Sequence, residues 1–146
     1  MTRQEVYNKV RDHLLAQGEQ SAGMMGCQYR AERSDGTVLM CAIGCLIPDE
    51  LYDDGLEGMD VGYFTAVQAP KMVEDVDLEL VQEIGELLGI WDVTNADRNW
   101  IQQPAETDAD KMLHLLSDLQ IVHDQTAEEE WLTALEAVAK EHGLTP

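Results

Sequence analysis

The chain has 146 residues, 45% hydrophobic and 26% charged, a composition that supports a folded core and is unlike that of a disordered segment. Its formal charge of −20 is lopsided: through Leu46 five basic residues balance five acidic ones, whereas from Ile47 to Pro146 there are 24 Asp and Glu against Lys71, Arg98, Lys111 and Lys140. Contact with a nucleic-acid backbone needs Lys and Arg to displace condensed counterions, so direct DNA or RNA binding is not expected.

No apolar run reaches the roughly 20 residues that span a bilayer, and Met1 to Gln17 carries charges where a signal peptide would be apolar. Cys27, Cys41 and Cys45 are an odd number with none after them, which argues against a disulfide framework. The expected setting is a reducing cytoplasm.

In chain order, Thr2-Arg3-Gln4-Glu5 has the spacing of a capping box that opens a helix, with Val6, Val10 and Leu14 on one face. The glycines between Gly18 and Gly26 interrupt it. Cys27 to Arg33 and Thr37 to Met40 then read as two strands joined at Asp35-Gly36. Cys41 to Ile47 is continuously apolar and is predicted to turn into a buried helix before Pro48, with Pro48 to Tyr52 forming a further turn. Leu56 to Val76 gives weak signals: loop, with a short helix near Tyr63 to Gln68.

Asp77 is placed to cap a helix carrying Val81, Ile84 and Leu88, and Gly89 to stop it. Thr94 to Gln103 is read as a short helix ended by Pro104. Thr107-Asp-Ala-Asp opens a longer helix with Met112, Leu116, Leu119 and His123 on one face. Thr126-Ala-Glu-Glu is a second capping box for a helix with Trp131, Leu135 and Val138 buried and Gly143 as its stop. The short link between these two helices predicts an antiparallel helical hairpin.

The fold class that results is α+β, mostly helical, with a small antiparallel β-hairpin packed against several helices in a single globular domain over residues 1–146. The expected core includes Val10, Leu14, Ile43, Leu46, Ile84, Leu88, Leu116, Leu119, Trp131 and Leu135.

Three constellations bear on chemistry. Cys27, Cys41 and Cys45, with a histidine, would supply zinc ligands, but the spacing is not that of paired C-x-x-C motifs and the surroundings are apolar, as for ordinary buried thiols. His114 and His123 are nine positions apart, at about 100° per residue on opposite helix faces, and cannot share a metal. His123, beside Asp124, reads as a hydrogen-bonded core or helix-end histidine; His13 and His142 have no partner near in sequence. No nucleophile motif and no phosphate-cradling glycine loop is present.

The acidic side chains remain. Asp53, Asp54, Glu74, Asp75, Asp77, Glu128, Glu129 and Glu130 are the candidate binding surface. Carboxylates in a stripe can imitate duplex phosphates, about one charge per 1.7 Å of axis, and occupy a basic cleft; the plainer reading is solvation of the surface.

At Cys41-Ala-Ile-Gly-Cys-Leu-Ile-Pro-Asp-Glu-Leu-Tyr, with Tyr29-Arg before it, Leu56-Glu-Gly after it and Leu119-Gln-Ile-Val-His-Asp later, the chain resembles a group of small proteins of tailed phages and bacterial prophages. The resemblance runs over most of the chain. It brings no activity and no site residues, and implies a context: a phage or mobile-element protein in the bacterial cytoplasm, where small acidic inhibitors of host defence or of nucleic-acid enzymes are common.

The expected function is therefore non-enzymatic. It is the binding of a basic surface on a host protein, possible partners including a nucleic-acid-handling enzyme, without cofactor. The alternative is a zinc-binding structural or regulatory domain built on the three cysteines.

Overall fold

The computed structural model describes residues 1–23, 26–71, 77–94 and 100–146. Helices dominate: α1 (Arg3–Gln17), α2 (Leu78–Leu88), α3 (Asp108–Gln125) and α4 (Trp131–Glu141), with two two-stranded antiparallel sheets, β1 (Ala22–Gly23) with β2 (Gly26–Cys27) and β3 (Arg30–Glu32) with β4 (Val38–Met40). The mostly helical α+β class expected from the sequence is the one observed. By contacts the chain divides into two units, one of Thr2–Pro48 with Leu115–Pro146, the other of Asp49–His114 with Met1.

In the first unit the capping box at Thr2 forms in full: Thr2 Oγ1 accepts from the Glu5 N–H and the Thr2 N–H donates to the Glu5 carboxylate. Val6, Tyr7, Val10 and Leu14 are buried on the inner face of α1, which packs on α4, where the Tyr7 hydroxyl donates to the Leu135 carbonyl at 3.1 Å. The β3–β4 hairpin turns at Ser34-Asp35-Gly36, with Gly36 at φ 85° and the Asp35 carboxylate accepting from the Thr37 N–H. Its outer edge is closed by α1, because the Gln17 side-chain amide both donates to the Met40 carbonyl and accepts from the Met40 N–H, each at 2.9 Å.

The glycine-rich stretch from Gly18 to Gly26, expected only to break the helix, carries β1 and the start of β2, and the strand expected from Cys27 to Arg33 is split: Cys27 pairs with Ala22 in this first ladder and only Arg30–Glu32 pairs with β4. A second difference lies at Cys41 to Ile47. The segment is buried, but it forms a turn and a single 3₁₀ turn at Gly44–Leu46, not the expected helix. Pro48 ends the segment, because the residue before a proline is disfavoured in the helical region and Ile47 is extended at φ −89° and ψ 116°; at Gly44 the backbone comes so close to Tyr29 that a Cβ would run into its carbonyl oxygen.

α3 and α4 touch at two places, His123 stacking on Trp131 near the link and the His142 Nε2 lying 2.7 Å from the Asp118 carboxylate, while α4 packs on α1. The capping box expected at Thr126 does not form. A 3₁₀ turn at Glu128–Glu130 precedes α4, neither it nor α4 has a side-chain N-cap, and the Trp131 indole N–H takes the Thr126 carbonyl.

In the second unit Asp77 caps α2 by accepting from the Glu79 N–H, and Gly89 ends it in the left-handed conformation, both as expected. Val81, Ile84 and Leu88 are buried with Leu56, Val61, Phe64 and Ile90. The short helix expected at Tyr63 to Gln68 is displaced to a 3₁₀ turn at Val61–Phe64, which Asp60 caps and which ends where the Thr65 hydroxyl donates to the Gly62 carbonyl. Of the helix expected at Thr94 to Gln103, residues 95–99 lie outside the described residues and Trp100–Gln102 is a 3₁₀ turn. All ten expected core residues are buried.

Candidate functional site

A connected set of polar side chains lies in the first unit, where the last turn of α3 meets the loop before β1. His123 and Asp124 stand side by side there, His123 fully buried and Asp124 half-buried. The Ser21 backbone N–H donates to His123 Nε2 at 2.9 Å. That bond fixes the tautomer: Nε2 is the acceptor, so Nδ1 carries the proton and donates to Asp124 Oδ1 at 2.6 Å. Asp124 also accepts from the Gln120 amide at 2.6 Å and from the Cys27 thiol.

Burial pushes the Asp124 carboxyl upward, but hydrogen bonds from His123, Gln120 and Cys27 together outweigh it and hold the group below the usual carboxylate range. The same contacts work in reverse on Cys27, whose thiol is pushed up to about 11, first by burial and then by the Asp124 carboxylate. At neutral pH Cys27 is a hydrogen-bond donor and not a thiolate nucleophile.

Neighbouring groups hold this set in place. Gln20 Nε2 donates to the His123 and Asp124 carbonyls at 2.8 and 3.1 Å, satisfying two of the carbonyls that the end of α3 leaves open. The Gln20 N–H donates to the Glu128 carboxylate, and Trp131 stacks on the His123 ring with centroids 5.7 Å apart. The Ser21 hydroxyl donates to the Leu39 carbonyl of β4.

The three cysteines are not brought together. Cys41 is buried with its sulfur accepting from the Gly44 N–H, and burial pushes its thiol up to about 12 against the opposing pull of that N–H and the Ile43 N–H. Cys45 donates to the Ala42 carbonyl and is likewise raised to about 12 by burial. Among the described residues, the one group of His, Cys and acidic side chains with ligand-type atoms all within 4.8 Å of one another is Cys27, His123 and Asp124. The sequence marks His123 beside Asp124 and Cys27 as a separate thiol; the part that Gln20, Ser21 and Gln120 take has no local signal.

Of the acidic candidates, Asp53, Asp54 and Asp77 are exposed in the second unit, with Asp53 and Asp77 bonded to the backbone N–H groups of Gly55 and Glu79. Glu128, Glu129 and Glu130 are exposed on one turn of the first unit. Glu74 and Asp75 lie outside the described residues. None of the six described carboxylates pairs with a lysine or arginine among the described residues; the Arg–carboxylate pairs at Arg11–Asp12 and Arg33–Glu19 both precede Leu46.

The second unit has a cleft of about 70 Å³ lined by Val93, Gln103, Pro104, Glu106, Asp110 and His114. No helix among the described residues is long and apolar enough to cross a membrane. Comparison with protein-family models, with curated proteins and with solved structures finds no match.

Proposed function

We propose that this is a non-enzymatic, phage-type protein that binds a basic surface of a host protein through its carboxylates, as an inhibitor of host defence or a mimic of nucleic acid. The observation that carries the reading is the uncompensated negative charge: 24 acidic residues against four basic ones after Leu46, with Asp53, Asp54, Asp77 and Glu128 to Glu130 exposed and without a lysine or arginine partner among the described residues. Mutually repelling carboxylates cost stability in the free protein, and a cationic partner relieves that repulsion. The raised thiols of Cys27, Cys41 and Cys45 leave the cysteines protonated at neutral pH, which fits a reading without a thiolate nucleophile.

The test is capture of the untagged protein from bacterial lysate with cross-linking at low and at high salt, followed by titration of the recovered partner. A basic protein released by salt is the expected result. An empty capture at low salt, or a partner bound equally at both ionic strengths, would contradict the reading.

A further inference from the structure

Beyond that reading, we propose that Cys27 Sγ, His123 Nδ1 and Asp124 form a three-ligand site for a zinc-class divalent cation, and that filling it releases the backbone of Ser21. The three donor atoms come from β2 and from the end of α3, and they all lie within 4.8 Å of one another. Two protons now hold them together, one on His123 Nδ1 and one on the Cys27 sulfur, both directed at Asp124. A cation placed among the three substitutes for both.

The donor set selects the ion. One thiolate, one imidazole and one carboxylate suit zinc, and cobalt(II) as its spectroscopic substitute, whereas magnesium and calcium take oxygen ligands. Three protein ligands leave a fourth position for water, and Cys27 is partly exposed, so the site has an entrance. Gln120, which donates to Asp124 and accepts from the Ile43 N–H, orients the carboxylate.

The proton balance gives the site its distinguishing property. The thiol loses its proton to solvent. The neutral imidazole keeps one proton, but with Nδ1 taken by the metal that proton sits on Nε2, where it opposes the Ser21 N–H that now donates there at 2.9 Å. Two donors cannot share that contact, so the Ser21 amide turns away. Metal uptake thus releases about one proton per ion and unlatches the loop between α1 and β1; a single backbone hydrogen bond is small beside the binding free energy of a thiolate–imidazole zinc site.

The experiment uses the full chain, reduced and freed of metal. Zinc is titrated by calorimetry at two pH values, cobalt(II) by absorption, and Ser21 amide exchange is followed with and without zinc. The proposal expects one ion per chain, affinity rising about tenfold per pH unit below the thiol's titration, a thiolate-to-cobalt charge-transfer band, and faster exchange at Ser21. Cys27→Ser should lose the band and most of the affinity, while Cys45→Ser keeps both. If Cys27→Ser does not fold, the wild-type cobalt band and Ser21 exchange still decide the matter. No stoichiometric ion, an ion bound without the thiolate band, or a Ser21 amide equally protected with zinc bound would each overturn it.

Discussion

Single side chains at the end of α3 and at the turn after β4 carry the sharpest expectations. Asp124 is held below its ordinary pKa of 3.8, so its contribution to stability is present above that value and is lost as pH falls through the folded-state pKa. Urea denaturation across acidic pH should show Asp124→Asn less stable than wild type near neutrality, with the gap closing as the solution is acidified. The buried thiols have the opposite sense. Cys41 is raised from 9.0 to about 12, so the stability it provides is complete below pH 9 and declines as pH rises through that interval. At Gly44 the constraint is steric: Gly44→Ala should cost about 2 kcal/mol or more, read as a lower denaturation midpoint at unchanged slope, because the added methyl meets the Tyr29 carbonyl and not a flexible side chain. Ile43, fully buried beside it, should tolerate aspartate worse still, at more than about 3 kcal/mol for an unpaired charge in the core.

At the scale of elements, two threonines with the same sequence signature behave differently. Thr2→Ala removes both halves of a formed capping box and should cost about 1 kcal/mol. Thr126→Ala removes a hydroxyl that caps nothing and should stay within about 0.5 kcal/mol in the same thermal or urea melt. Local signals were legible where the chain answers only to itself, as at Asp77 and Gly89 around α2, at Asp35-Gly36 in the hairpin, and in the buried stripe of α3. They misled elsewhere. The Trp131 indole N–H takes the Thr126 carbonyl and the chain enters α4 through a 3₁₀ turn at Glu128–Glu130, so α4 starts later than its capping box implies. Pro48 holds Ile47 extended and stops Cys41 to Ile47 from continuing as a helix. The polar set around His123 was half legible: adjacency placed Asp124 beside it, but the bonds from Gln20, Ser21 and Cys27 span about a hundred residues of sequence and leave no periodicity or spacing to read.

Across the whole molecule the governing fact is charge. A chain with a formal charge of −20 repels itself, and the carboxylates that crowd the sequence after Leu46 have few cations of their own to answer them. Complementary charge on a partner accelerates encounter and is screened by salt, with a Debye length of about 10 Å at 0.1 M. Reversal of the exposed Glu129 and Glu130 to lysine, sparing Glu128 and its bond to the Gln20 N–H, should therefore slow association with a basic partner while leaving melting of the free protein nearly unchanged. The most direct measurement is the affinity of the captured host partner as a function of ionic strength. Weakening by about tenfold or more between low and physiological salt, carried mainly by the association rate, is the result predicted; an affinity independent of salt would contradict a carboxylate surface as the binding element.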